Sequence, residues 1–161
     1  MIDLFEVARR LSAADVQFVI VSGIAIRGHG GNYITEDLDI CYSRTRDNLK
    51  RLAGVLAPLG PRPRGISRGL PFFFDWTTLQ RGTNFTFETS LGDVDLLGEV
   101  KGIGSYDDLV PQSITVDFEG FPTKLLSIRS LIIAKEAAGR LKDQPGLQVL
   151  YALQESESEG A

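Results

Sequence analysis

Apolar residues recur at Leu4, Phe5, Ala8 and Leu11, the spacing of one helical face, so the chain opens with an amphipathic helix. The period then changes. Residues 16–21, VQFVIV, form a short β-branched run that predicts a buried strand. SGIAIRGHG (22–30) follows as a turn entering a short helix, and LDICY (38–42) predicts a second strand. Leu49, Leu52, Ala53 and Leu56 predict another helix, with Asp47 near its start. The middle of the chain reads as strands: PFFFDW (71–76), NFTFETS (84–90), DVDLLG (93–98), SITVDF (113–118) and FPTKLL (121–126). Ser127 is placed to cap a helix carrying Leu131, Ile132, Lys135 and Ala138. Asp143 is placed to cap a last helix, with Pro145 in its first turn and Leu147, Leu150 and Tyr151 on one face.

PLGPRPRG (58–65) is the single Pro/Gly/Arg-rich connector, and no repeat or low-complexity tract divides the chain. The expected fold class is therefore α+β: one domain with a mixed β-sheet flanked by helices, not a regular βαβ alternation. That domain takes in residues 1–153. The remaining ESESEGA end, with Glu155, Glu157 and Glu159, predicts an acidic, flexible C-terminal tail over 154–161.

Composition narrows the chemistry. A chain of 161 residues buries a core without staples, and 43% hydrophobic with 24% charged residues excludes wholesale disorder. Cys41, the one cysteine, excludes an internal disulfide and a cysteine-based zinc site; on its apolar stretch it reads as a small buried hydrophobe before a nucleophile. His29, the one histidine, lies among glycines and reads as a loop or core residue, with no second imidazole for a proton relay. MIDLFEVARR carries acids where a signal peptide needs positive charge, and no apolar run reaches membrane-spanning length. A cytoplasmic protein with no membrane partner is expected.

The net charge of −4 hides an asymmetry. Arg44, Arg46, Lys50, Arg51, Arg62, Arg64, Arg68 and Arg81 meet only Asp47 and Asp75 between residues 43 and 82. Two readings stand: a flank for a polyanion such as RNA or a triphosphate, or a solvated helix face plus a loop.

The candidate chemistry lies in the acids. Residues i and i+2 of a strand share a face, so Asp37 and Asp39 project together while Leu38 and Ile40 point the other way. Their Cα atoms are then roughly 6–7 Å apart, and both carboxylates reach a pair of Mg²⁺ ions. Taken alone, D-x-D also fits an exposed strand kept soluble by acids. The second acidic strand changes this: Asp95 sits between apolar residues in DVDLL, where an acid is costly unless paired or bound to metal. Two charges held on one rigid strand also call for a compensating cation. The glycines Gly23, Gly28, Gly30 and Gly31 match neither G-x-x-x-x-G-K-[ST] nor G-x-G-x-x-G, since His29-Gly30 and Tyr33 stand in the wrong places. What remains is Ser22-Gly23 between strand and helix, as an N-cap or as a phosphate contact with Gly23 allowing close approach.

S-G-I-A-I, T-E-D-L-D-I and D-V-D-L-L together resemble the G-[GS]…D-x-D…D pattern of the DNA polymerase β-like nucleotidyltransferase superfamily. GLPFFFDWTTLQRGTNFTFETSLGDVDLLGEVKGIGSYDDL and LSIRSLIIAKEAAGRLKD extend the likeness to bacterial minimal nucleotidyltransferases, a group that includes abortive-infection-type toxins. The resemblance covers residues 16 to 150 and implies the nucleotidyltransferase fold. It further implies transfer of a nucleoside monophosphate from an NTP such as ATP to an acceptor hydroxyl, with two Mg²⁺ ions or Mn²⁺ in their place. Asp37, Asp39 and Asp95 match the metal-binding and catalytic carboxylates; Ser22, Gly23 and Lys135 match the nucleotide-binding positions, with Arg140 and Lys142 as further candidates. RNA (tRNA included), a partner protein or a small molecule would be the acceptor, and a homodimer or a toxin–antitoxin partner would complete the cleft. Two positions depart from the pattern: Ser22 replaces the usual first glycine, and Tyr33 stands where relatives carry an arginine. A degenerate module that binds nucleotide or partner without turnover is the rival reading.

Overall fold

The computed structural model describes residues 1–159. Its strands are β1 (Phe18–Val21), β2 (Asp37–Tyr42), β3 (Arg62–Pro63), β4 (Phe85–Thr89), β5 (Gly92–Leu97), β6 (Glu99–Val100), β7 (Gly104–Ser105), β8 (Ser113–Phe118) and β9 (Phe121–Leu126). Its helices are α1 (Leu4–Ala13), α2 (Gly23–Gly28), α3 (Arg46–Leu56), α4 (Trp76–Gln80), α5 (Tyr106–Leu109), α6 (Ile128–Ala138) and α7 (Gln144–Glu159). Seven strands make one mixed sheet in the order β3-β4-β5-β2-β1-β9-β8, and β6 pairs with β7 as a separate ribbon.

The centre of the sheet decides everything that follows. β1 runs antiparallel to β2 and parallel to β9, while β2 runs parallel to β5. All four residues of β1 are buried, as expected for a strand covered on both faces. β2 and β5 alternate instead: Leu38, Ile40, Val94 and Leu96 are buried, and the intervening acids are partly open. These aliphatics join Leu4, Val7 and Leu11 of α1, Leu49, Leu52 and Leu56 of α3, and Leu131 of α6 in one core. α1 starts where Asp3 accepts the Glu6 N–H at 3.0 Å, and α6 where Ser127 accepts the Ser130 N–H at 3.2 Å, so both caps satisfy an otherwise free donor.

The single-domain α+β architecture agrees with the sequence pattern, and four local expectations change. PFFFDW is not a strand. Its residues alternate in exposure as a strand's would, but Phe72 and Phe74 pack their rings on Phe87 at 6.3 and 5.5 Å without joining a ladder. β3 already occupies that edge of β4, pairing Arg62 with Glu88 and Pro63 with Phe87. Asp75 then starts α4 through a capping box with Thr78. The connector 58–65 therefore contains a strand. Asp143 immediately precedes α7, but its carboxylate accepts from Lys135 and Arg140 rather than serving the helix. At the other end α7 continues to Glu159, with Glu155, Glu157 and Glu159 exposed along it: no Gly or Pro interrupts residues 147–159, and Glu is a good helix former. Among the described residues no helix is long and apolar enough to cross a membrane.

Candidate active site

The parallel pairing of β2 with β5 sets Asp37 opposite Asp93 and Asp39 opposite Asp95. Four carboxylates from two neighbouring strands thus stand on one face of the sheet. One carboxylate oxygen from each of Asp37, Asp39 and Asp95 lies within 4.8 Å of the other two. Three hard oxygens at that separation, on rigid central strands, suit a divalent cation such as Mg²⁺.

Asp39 carries the clearest sign of a missing counter-charge. Its Oδ1 is shut off from solvent and has no hydrogen-bond partner. Burial, then the neighbouring charge of Asp37, push its carboxyl up to about 6, against the pull of the Ser22 hydroxyl, Lys135 and Arg64. A lone buried carboxylate oxygen is expensive, and a cation at this point would relieve it. The donor set therefore fits a hard metal ion.

Lys135 approaches from α6 and is itself buried, 7% exposed. Its Nζ donates to Ser22 Oγ and to Asp143 Oδ1, both at 3.3 Å. Asp143 also accepts from Arg140, Nε at 2.7 Å and Nη2 at 3.1 Å. Although burial works against it, these bonds and the Lys135 charge hold the Asp143 carboxyl below the usual range. Asp143 thus fixes a lysine and an arginine at the mouth of the cleft, as a hydrogen-bonded network that leaves the buried lysine paired.

Ser22 and Gly23 join β1 to α2 in two unusual ways. Ser22 has φ 67° and ψ −142°, a region that glycine enters freely and other residues rarely. At Gly23 a Cβ would meet Thr35 Oγ1 at 2.5 Å and Thr35 Cβ at 2.6 Å. Gly23 is therefore required by the packing of the Tyr33–Thr35 segment, quite apart from any phosphate. Thr35 Oγ1 in turn donates to the Asp37 carbonyl at 3.1 Å, so the loop is tied to the start of the acidic strand. Ser22, Gly23, Asp37, Asp39, Asp95 and Lys135 all line one polar cleft of about 380 Å³. An adjoining recess of about 360 Å³ shares Ser22, Asp39 and Lys135 but is walled by Val21, Val100 and Leu131. Every site residue marked in the sequence thus meets at one place, together with Arg140 and Lys142.

Two residues of the site were not assigned to it from sequence. Asp143 read as a helix cap, and Arg64 as one member of a basic run. Arg64 lies across the acidic face: its Nη1 is 3.7 Å from Asp37 Oδ2 and 3.5 Å from Asp93 Oδ2, and its Nη2 bonds Asp95. This is the compensating cation that paired acids call for. Other members of the basic run also find partners within the chain. Arg46 and Lys50 lie over the Trp76 ring at 5.3 and 5.1 Å, Arg62 bonds the Ser67 and Leu70 carbonyls, and Arg44 bonds Tyr42 and the Leu79 carbonyl. His29 donates from Nε2 to the Leu126 carbonyl at 2.8 Å, a structural role. Cys41 is buried, and burial pushes its thiol up to about 12, so it stays unreactive.

No protein-family model and no curated protein sequence matches the chain. Solved structures do resemble it. A protein of Thermotoga maritima assigned as a nucleotidyltransferase is 15% identical, over 92% of this chain and 93% of its own, with a TM-score of 0.57. ANT(2″)-Ia, solved with adenylyl-2″-tobramycin, is 14% identical over 96% and 95%, with a TM-score of 0.54. An antigenic nucleotidyltransferase-like protein from Paracoccidioides brasiliensis is 19% identical over 93% and 72%, with a TM-score of 0.50. The mixed sheet, its flanking helices and these whole-chain likenesses agree: the chain has the nucleotidyltransferase fold.

Proposed function

We propose that the protein is a nucleotidyltransferase that moves a nucleoside monophosphate from an NTP to an acceptor hydroxyl and releases pyrophosphate. The observation that carries this reading is the trio of carboxylate oxygens from Asp37, Asp39 and Asp95, within 4.8 Å of one another, in a cleft that also holds a buried lysine. Asp37, Asp39 and Asp95 would hold two Mg²⁺ or Mn²⁺ ions, whose chemistry here is to neutralise and polarise phosphate oxygens. The chain's own residues supply the rest. Lys135, held by Asp143, and Ser22 bind triphosphate oxygens, with Arg140 at the same mouth. Asp95, on the strand farther from Lys135, accepts the proton of the acceptor hydroxyl as its oxygen bonds to the α-phosphorus. The bond from that phosphorus to the β-phosphate oxygen breaks, and pyrophosphate leaves with its electrons. Such transfer asks the protein for positioning and charge neutralisation more than for covalent chemistry.

The test is label transfer from α-labelled NTP in Mg²⁺, using RNA, cell protein and small molecules as acceptors in parallel. A small-molecule acceptor has a precedent in the adenylyl-2″-tobramycin held by ANT(2″)-Ia; label on RNA or on protein would favour a role in a toxin–antitoxin pair. Asp39→Asn is expected to abolish the transfer and leave a folded protein. Transfer by that variant at the wild-type rate would overturn the assignment.

Tyr33 in the cleft wall and Arg64 across the acids favour a second reading, a module that binds nucleotide without turnover. Calorimetry with NTP and Mg²⁺ separates the two when combined with a pyrophosphate-release assay: binding without release identifies the module.

A further inference from the structure

We propose that Arg64 is the resident counter-ion of the carboxylate cluster, and that a divalent cation binds only by displacing it. This rests on the metal-binding reading of Asp37, Asp39 and Asp95. The guanidinium contacts three acids at once, Asp37, Asp93 and Asp95, and two of these belong to the trio that would ligate the ion. The guanidinium lies against Asp95 and Asp37 from the side on which an ion would approach them, so the two cations compete for the same two carboxylates.

Three observations separate a displaceable ion from a fixed structural bridge. Arg64 leaves the innermost acid unserved, since Asp39 Oδ1 has no partner. Its own Nε is buried and unpaired as well, so the pose wastes one of its donors. One positive charge also faces four carboxylates on two adjacent strands, which a doubly charged ion neutralises better. The backbone beneath is fixed by Arg64 N–H to Thr86 O at 2.8 Å, so the side chain can swing away while β3 stays in place.

Arg68 provides the control. It sits on the same loop, exposed, with Nε 3.7 Å from Glu88 and no contact to the trio. Removing it changes the local charge without freeing a ligand oxygen.

The experiment measures Mn²⁺ binding without nucleotide, by the electron paramagnetic resonance of the free ion, in wild type, Arg64→Gln and Arg68→Gln. Arg64→Gln is expected to bind Mn²⁺ about tenfold tighter or more than wild type, the scale of a lost charge-assisted competitor, and Arg68→Gln within about twofold of wild type. Binding by Arg64→Gln alone supports the inference most strongly. Equal affinity of Arg64→Gln and Arg68→Gln overturns it while leaving the metal site standing; no binding by any of the three overturns both. Wild-type protein gives a second readout that needs no variant. Trypsin cleavage after Arg64, measured against cleavage after Arg68, should rise when Mg²⁺ is added, and a ratio that stays level or falls overturns the displacement.

Discussion

Replacing Asp39 with asparagine should stabilise the metal-free protein at neutral pH even as it removes the proposed activity. Asp39 Oδ1 is buried without a partner, and burial with the Asp37 charge pushes the carboxyl from 3.8 up to about 6. The native state therefore binds more protons than the unfolded chain between those two values. Stability falls as pH rises through that window, and the penalty is complete above it. At about 1.4 kcal/mol per unit, holding Asp39 ionised at pH 7.5 costs about 3 kcal/mol. Asparagine keeps the shape and never ionises. Allowing for an imperfectly bonded amide, a gain of roughly 1–3 kcal/mol is expected, or about 3–10 °C in Tm for a chain of this size. Thermal melts by circular dichroism in EDTA at pH 4.5, 6 and 7.5 provide the assay. By pH 4.5 about two-thirds of the gain should be gone, because the wild-type carboxyl is already protonated in the fold. Mg²⁺ should raise the wild-type Tm at pH 7.5 and leave the variant unmoved. An Asp39→Asn protein no more stable than wild type at pH 7.5, or a gain independent of pH, would refute the reasoning.

Three further outcomes are expected. At Ser22, whose φ is 67°, glycine should be better tolerated than alanine, reversing the usual order: Ser22→Gly is expected to melt roughly 2–8 °C above Ser22→Ala, from about 1–2 kcal/mol of relieved strain. Asp143→Ala leaves Lys135 buried without its carboxylate, so urea denaturation should show a loss of about 3 kcal/mol or more. Cys41, buried and with its thiol pushed up to about 12, should resist a thiol reagent at pH 8 in the native protein and react at once in urea.

The parts of the site that could be read in the sequence are those carried by strand periodicity. Asp37, Asp39 and Asp95 follow from a two-residue beat against buried aliphatics, and that beat survives in β2 and β5. Ser22-Gly23 follows from its place between a strand and a helix, where a cap and a phosphate contact look alike, and Lys135 follows from family resemblance alone. Arg64 and Asp143 carry no such periodic signal, since an arginine in a Pro-rich connector and an acid before a helix have ordinary local explanations. Arg64 meets Asp95 across 31 residues, and Asp143, though bonded to nearby Arg140 and Lys135, belongs to the site only because Lys135 reaches Ser22, 113 residues away. The misread PFFFDW shows the same limit from the other side. Alternating burial of Phe72, Phe73 and Phe74 arises from packing on Phe87, and periodicity does not reveal that β3 already holds the hydrogen-bonding edge.

The register of β2 against β5 has a consequence for how such a chain can change. Leu38 and Ile40 enter the core with Val94 and Leu96, and the acids face outward because these residues face inward. Deleting or inserting one residue inside either strand would send carboxylates into the core and aliphatics into the cleft. Site and stability would be lost in one step, so indels in these strands should be lethal to both. Segments 65–74 and 101–103 lie outside that register, and their length can vary without moving a single acid. The chain is thus free to remodel its connecting segments, while the spacing of its acids is locked by its greasy side.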